Sequence, residues 1–408
     1  MKMLQSEVRT LGGKRSVDLN ELRSYRYRRV QQRLIENDCA AALLSNPINI
    51  RYATDSRNMT VWSLHNQARY CVVPAEGRAV LFDYANNNCL NAAPTLPAIA
   101  ERRLARIHAF FDVAEHALAV SRLWAEEIAD QVAALMGAGK HRLAVDRCDL
   151  LGYQALERAG FILVEGQRIM ELARSVKNAE EVLCAQRALA VADLGIQRMR
   201  DLLEPGITEN QLWSELHRTN IAHDGEWIET RLLCAGPRTN PWFQESSDRP
   251  IQAGELVSFD TDLVGPYGYC ADVSRTFHCG PGRPTPNQRE LYALAAEQVA
   301  HNCELLRPGC TFQEYREKSW NIPARFHEQN YGSILHGVGL VDEWPAIGWD
   351  SQDPFAQDGV LLPGMTVCVE SYIGEVGGAE GVKLEQQALI TETGYEIMSL
   401  YPLEDSLL

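Results

Sequence analysis

The chain has 408 residues, 46% of them apolar, enough to bury one large core or two ordinary ones. Its formal net charge of −15 disfavours nucleic acid and other polyanions as partners. The N-terminal stretch MKMLQSEVRTLGGKRSVDL lacks the apolar segment of a signal peptide, no run of about 18 apolar residues occurs, and the eleven cysteines are scattered without a C-x-x-C pair. The expectation is a cytoplasmic protein with reduced thiols and no membrane association.

The first 165 or so residues alternate between helical and strand-like runs. RYRRVQQRLIEND reads as a helix, and AALLSN, YCVVPA and AVLFDY as short buried strands. RLWAEEIADQVAALM is an amphipathic helix, and RLAVD is a strand leading into the helix LLGYQALERAG, which stops at Gly160. Residues 85–140 otherwise match no recognisable pattern. A new helix, NAEEVLCAQRALAVADLGIQRMRDLL, opens after Asn178 with acidic residues in its first turn. The domain boundary is placed between 166 and 176, dividing the chain into 1–170 and 171–408.

The C-terminal part carries an internal repeat. LLEPGIT (202–208) recurs as LLRPGCT (305–311), and AGELVSFD (253–260) is echoed by PGMTVCVE (363–370). Each first motif ends a helix at Pro-Gly and opens the next with a capping box, Thr208-x-x-Gln211 or Thr311-x-x-Glu314. Two matched pairs in the same order indicate a duplicated α/β half.

The duplication would bring acidic strands to one face. Asp260 and Asp262, two apart in FDTDLVGPYGYCADVSRT, are expected to point to the same side of a strand, with Asp272 further along. The nearest positive side chain is Arg275, one charge against three. In the second half, Glu370 ends TVCVE, Glu385 sits in VKLEQQALI, and His336 lies in LHGVGLVDEWP between the two halves. Carboxylates with one imidazole suit manganese, iron, cobalt or zinc, and a metal would supply the missing positive charge.

The order D…D…H…E…E, with GYCADVSRT, HGVGL, VCVES and VKLEQQALIT around the acids, resembles the pita-bread metallohydrolases. That family includes methionine aminopeptidase, aminopeptidase P, prolidase and creatinase. The resemblance covers roughly residues 170–400 and implies a creatinase-like α/β domain followed by a pita-bread domain with a pseudo-two-fold duplication. It carries the ligand positions over to Asp262, Asp272, His336, Glu370 and Glu385. Departures from the peptidase pattern are informative. No histidine lies between His223 and His278, where peptidases place one that faces the substrate, and Trp242 stands near that position. The second histidine of their H-G-x-G-x-x-x-H-E pattern is replaced by Asp342, just before Glu343. Losing two carbonyl-polarising groups and gaining a carboxylate is the profile of proton abstraction rather than amide cleavage.

The stretches NIRYATDSRNMTVWSLHN, GEWIETRLLCAGPRTNPWFQE, SFDTDLVGPYGYCADVSR, YGSILHGVGLVDEWP and VESYIGEVGG resemble the dimethylsulfoniopropionate-lyase branch of this family. That resemblance implies iron, as one or two ions, on Asp260, Asp262, Asp272, His336, Glu370 and Glu385. It implies Asp342 as general base, Tyr331 and Trp62 at a small zwitterionic sulfonium substrate, and a homodimer in which Trp62 serves its own or the neighbouring pocket. Trp242 and Trp344 are further aromatic candidates for the sulfonium, with Trp344 also expected to desolvate Asp342 and raise its pKa. The alternatives are an X-Pro dipeptidase or aminopeptidase with the same metal set, or a lyase acting on a related substrate. A non-catalytic binding module is disfavoured because every ligand position is kept.

Overall fold

A computed structural model describes residues 15–84, 94–350 and 353–408. The chain divides into two units, one of Asp18–Arg174 and one of Ser175–Leu408 with the described residues up to Val17. Residues 85–93, within the stretch that matches no pattern, lie outside the described residues.

In the N-terminal unit, the Asp18 side chain accepts from the Asn20 and Glu21 amides and starts helix Leu19–Glu36. Strands Ala41–Leu44, Tyr70–Pro74 and Ala79–Asp83 are buried at every position, as runs without alternation require. They form the middle of a six-stranded sheet in the order Ile99–Leu104, Ala79–Asp83, Tyr70–Pro74, Ala41–Leu44, Arg142–Val145, Ile162–Glu165. The two pairings made by Tyr70–Pro74 are antiparallel and the other three parallel. Helix Ala117–Met136 lays Trp124, Ala125, Ile128 and Val132 on this sheet's core.

In the C-terminal unit, helix Ala179–Leu202 opens on a capping box between Asn178 and Glu181. The repeat is a repeat of structure. The amide of Gly206 donates to the Ile251 carbonyl, that of Ile251 to Ile207, and that of Glu209 to Arg249. In the second half Gly309 donates to Leu361, Leu361 to Cys310, and Phe312 to Gly359. The partners have moved 103 positions on one side (206 to 309) and 110 on the other (251 to 361). The strand pairings follow to within one position. Leu233 faces Phe259 and Leu335 faces Val369; Asp260 faces Ser274 and Glu370 faces Glu385. One half contributes a three-stranded sheet (Leu233–Ala235, Leu256–Asp260, Ser274–His278). The other contributes a five-stranded sheet built on Ser333–Val338, Thr366–Ile373 and Val382–Ile390. Helix Pro286–Glu304 packs Tyr292, Ala295 and Val299 into the core of the second half. Among the described residues no helix is long and apolar enough to cross a membrane, and the described cysteines are free thiols.

Candidate metal centre

Duplication brings acid-bearing strands from both halves to one place. Asp260 is the last residue of strand Leu256–Asp260. Asp262 lies beyond the strand end with φ of +36°, so it reaches the cluster from a turn rather than by two-residue alternation. That turn is held by the Glu229 amide donating to the Asp262 carbonyl (3.0 Å) and by Thr230 Oγ1 donating to Asp262 Oδ2 (2.6 Å). Asp272 sits in the break between strands Cys270–Ala271 and Ser274–His278. Glu370 and Glu385 are direct cross-strand neighbours, both almost wholly buried. Two like charges facing each other in a dry sheet repel strongly, and the pairing persists only with a cation beside them or a proton on one of them.

His336 joins these residues from strand Ser333–Val338. Its Nε2 lies 3.2 Å from Glu370 Oε1, 3.5 Å from Asp272 Oδ2 and 3.7 Å from Glu385 Oε1. The glycines after it are needed because the strand runs against its neighbour. A Cβ on Gly337 would meet the Trp344 carbonyl oxygen at 2.5 Å, and one on Gly339 the Glu343 carboxylate at 2.5 Å.

Arg275 does not neutralise the acids. Its guanidinium is buried and hydrogen-bonds the carbonyls of Ser274, Glu385, Tyr401 and Pro402, holding the C-terminal segment. A buried ammonium among the acids is that of Lys383, with Nζ 3.1 Å from Asp260 Oδ2, 3.6 Å from Glu385 Oε2 and hydrogen-bonded to Glu370 Oε2. Sequence reasoning missed it, although it stands two residues before Glu385 on a strand buried at nearly every position. Cys368 was missed too. It shares the face of Glu370, and its Sγ is grouped with potential ligand atoms of Asp272, His336 and Glu385. Burial and the surrounding acids push that thiol well above its usual pKa.

One lysine is too little for five carboxylates. Burial and the neighbouring acids raise Asp262 to about 8 and push Asp272 and Glu385 well up. His336 is pulled the other way: burial disfavours its charge, but the bond to Glu370 and the charges of Asp342, Glu370 and Glu385 raise it to about 10. Asp260 Oδ1, Asp272 Oδ1 and Glu385 Oε1 are buried without a hydrogen-bond partner. Candidate ligand atoms in the sets Asp260–Asp262–Asp272 and Asp260–Glu370–Glu385 lie within 4.8 Å of one another. Buried, orphaned carboxylate oxygens converging at this spacing fit a metal ion, and oxygen donors with one imidazole suit a first-row divalent ion.

Asp342 starts strand Asp342–Gly348, with its side chain 60% exposed and Oδ1 3.7 Å from His336 Nδ1. Its carboxyl is pushed above the ordinary value by desolvation and by Asp260, Glu370 and Glu343, against the opposing pull of His336. Glu343 points the other way and forms a buried ion pair with Lys177 at 2.9 Å. Tyr331 lies beside the acids, with its ring centroid 4.7 Å from Lys383 Nζ, and burial pushes its phenol far up. Trp242, 6% exposed, belongs to the same cluster as Tyr331 and stacks on Tyr372. Trp344 packs its ring on Phe312 (5.2 Å between centroids) against the second half's core, and its strand is bulged where it pairs with His336 and Gly337 of the neighbouring strand. Trp62 is in the N-terminal unit, partly exposed, with its ring 4.8 Å from that of Tyr84.

Residues 184–392 match the model of metallopeptidase family M24. The chain is 41% identical over 397 residues to dimethylsulfoniopropionate lyase DddP of Roseovarius nubinhibens, covering 96% of this chain and 88% of that protein. It is 40% identical over 402 residues, with the same coverage, to dimethylsulfoniopropionate lyase DddP of Roseobacter denitrificans. Among solved structures, the Xaa-Pro dipeptidase of Bacillus anthracis matches with a TM-score of 0.73 at 22% identity, covering 93% of this chain and 98% of that one. The prolidase of Pyrococcus horikoshii OT3 gives 0.73 at 21%, covering 93% and 99%. At such identities the structural likeness speaks for the fold, an N-terminal α/β domain followed by a duplicated pita-bread domain. The likeness across nearly the whole chain to two named relatives, together with the family match, places this protein in metallopeptidase family M24, in the branch that contains the DddP proteins.

Proposed function

We propose that this protein is a metal-dependent carbon–sulfur lyase that converts dimethylsulfoniopropionate to dimethyl sulfide and acrylate. The observation that carries the reading is the carboxylate of Asp342. It stands against His336 at the open side of the acid cluster, in a chain whose 40–41% identical relatives bear the lyase name. Asp260, Asp262, Asp272, His336, Glu370 and Glu385 would hold the metal, iron by resemblance, with manganese, zinc or cobalt as alternatives. A bound ion supplies Lewis acidity toward the substrate carboxylate, which makes the adjacent carbon's proton easier to remove.

Asp342 accepts that proton. Its exposure leaves it open to the substrate. The electron pair of the broken C–H bond becomes the C=C bond of acrylate, and the C–S pair leaves on sulfur as neutral dimethyl sulfide. No water is consumed, so the hydrolytic histidines of the peptidases are not needed. Tyr331, neutral at any working pH, offers its hydroxyl to the substrate carboxylate and its ring as a wall of the site. Trp344 supports the strand that carries Asp342. The role of Trp62 at the sulfonium, and a homodimer that would let it serve either subunit, rest on resemblance.

Anaerobically metal-loaded protein incubated with dimethylsulfoniopropionate should release dimethyl sulfide into the headspace and acrylate into solution in equal amounts. Proline release from X-Pro dipeptides without dimethyl sulfide would overturn the reading in favour of the hydrolase.

A further inference from the structure

We infer that Phe243 is a specificity-determining residue of this site, offering the open aromatic face that receives the substrate's sulfonium group. The inference rests on the lyase reading and deepens it. A sulfonium has no N–H or O–H with which to hydrogen-bond, so the protein can recognise its charge through carboxylates or aromatic faces. Tyr331 lies beside the acids, but its π surface is already engaged. Lys383 Nζ lies over it at 4.7 Å, and the Phe243 ring stacks on it with centroids 5.3 Å apart and planes at 21°. Phe243 is one ring further out and is 63% exposed. A large apolar side chain this exposed, stacked on the wall of a charged site, is placed to meet a ligand rather than to fill a core.

The backbone supports the same reading. Phe243 has φ of +70°, a left-handed conformation that bulky side chains rarely adopt and that persists only where surrounding structure holds it. The anchoring is visible on either side. Asn240 Nδ2 donates to the carbonyls of Glu375 (2.8 Å) and Gly378 (2.9 Å), and Tyr372 Oη donates to the Thr239 carbonyl at 2.9 Å. Gln244 Nε2 closes the turn onto the Pro241 carbonyl at 3.1 Å, while Trp242 is buried on Tyr372. The turn therefore drives one aromatic residue inward and holds the next outward on Tyr331.

Two probes without a sulfonium leaving group separate charge recognition from fit. Trimethylammoniopropionate carries the cation, and its tert-butyl counterpart has the same carboxylate and nearly the same shape without the charge. Nearby carboxylates favour any cation, so the informative quantity is how far the ratio of the two affinities depends on the Phe243 ring. Calorimetry on the metal-loaded full chain should show that Phe243→Leu lowers the cation-to-neutral ratio by roughly 2- to 30-fold, the range of a cation–π contact from exposed to desolvated. Phe243→Trp, which keeps a π face, should retain or raise the ratio. In turnover, Phe243→Leu should raise KM for the sulfonium more than it lowers kcat. An unchanged ratio in Phe243→Leu, with wild-type protein releasing dimethyl sulfide, overturns the inference about Phe243 alone. A wild-type protein that releases none overturns the lyase reading and this inference with it.

Discussion

Replacing Lys383 with methionine removes the ammonium from among the acids of the centre while keeping an unbranched stem. The ammonium lies 3.1 Å from Asp260 Oδ2 and 3.6 Å from Glu385 Oε2, and also bonds Glu370. At an effective dielectric of about 20, each such contact is worth roughly 5 kcal/mol. Adding them would overstate the loss, because the carboxyls left behind take up protons instead of staying charged. Removing one partner of a buried ion pair costs about 3–5 kcal/mol, and that is the expected destabilisation of the metal-free protein. For a unit of this size it corresponds to a fall in Tm of roughly 6–20 °C. The loss should also depend on pH. Burial pushes Asp260 up, but Lys383 and neighbouring hydrogen bonds hold it below its ordinary value; without the lysine its folded-state pKa rises above the unfolded one. Stability is then kept at low pH and lost as pH rises, by up to about 1.4 kcal/mol per pH unit for each extra proton held. Thermal and urea unfolding of chelator-treated wild type and Lys383→Met, at about pH 6 and about pH 8, would measure both effects. The deficit should shrink once metal is added, because the ion supplies positive charge to the same carboxylates. A metal-free variant within about 1 kcal/mol of wild type at both pH values would refute the role of Lys383 as counter-charge.

Asp342→Asn keeps the side-chain volume but removes the proton acceptor, so dimethyl sulfide release should fall on the order of 10²–10⁴ with metal content unchanged. Near-normal release would rule Asp342 out as the base. His336→Ala and Glu370→Ala each delete a proposed ligand and should lose metal as well as activity; full metal occupancy in both variants, by elemental analysis, would sink the ligand assignment. Metal uptake by the metal-free protein should release protons. Asp262, with a pKa raised to about 8, and the upshifted Asp272 and Glu385 hold protons that the ion must displace, so affinity should weaken as pH falls through about 8. Calorimetric titration in two buffers of different ionisation enthalpy counts those protons, and a count of zero contradicts the crowded-carboxylate picture.

Much of this protein is written in local sequence, because local chemistry decides caps, turns and strand runs. LLEPGIT and LLRPGCT each end one helix and cap the next, and their backbone hydrogen bonds match in both halves; the reciprocal capping box forms at Thr208 and Gln211, whereas at Thr311 only the side chain caps and Glu314 turns to Arg307 and Lys318. The unbroken apolar runs of the N-terminal unit are buried strands because runs without alternation can satisfy themselves only between two covered faces. Asp260, Asp262, Asp272, His336, Glu370 and Glu385 could be picked out because so many acids in strand-like sequence need a shared cation. Which cation the protein itself supplies was decided by tertiary structure. Arg275, the neighbour in sequence, is drawn to backbone carbonyls of the C-terminal segment, whereas Lys383, more than a hundred positions from Asp260, lies over it because two strands from different halves converge. The same holds for the aromatic residues. Sequence spacing could not tell that Trp344 packs against the core and Phe243 stands out on Tyr331: the strand of Trp344 is bulged, and the left-handed backbone of Phe243 sits in a turn held by residues distant in the chain.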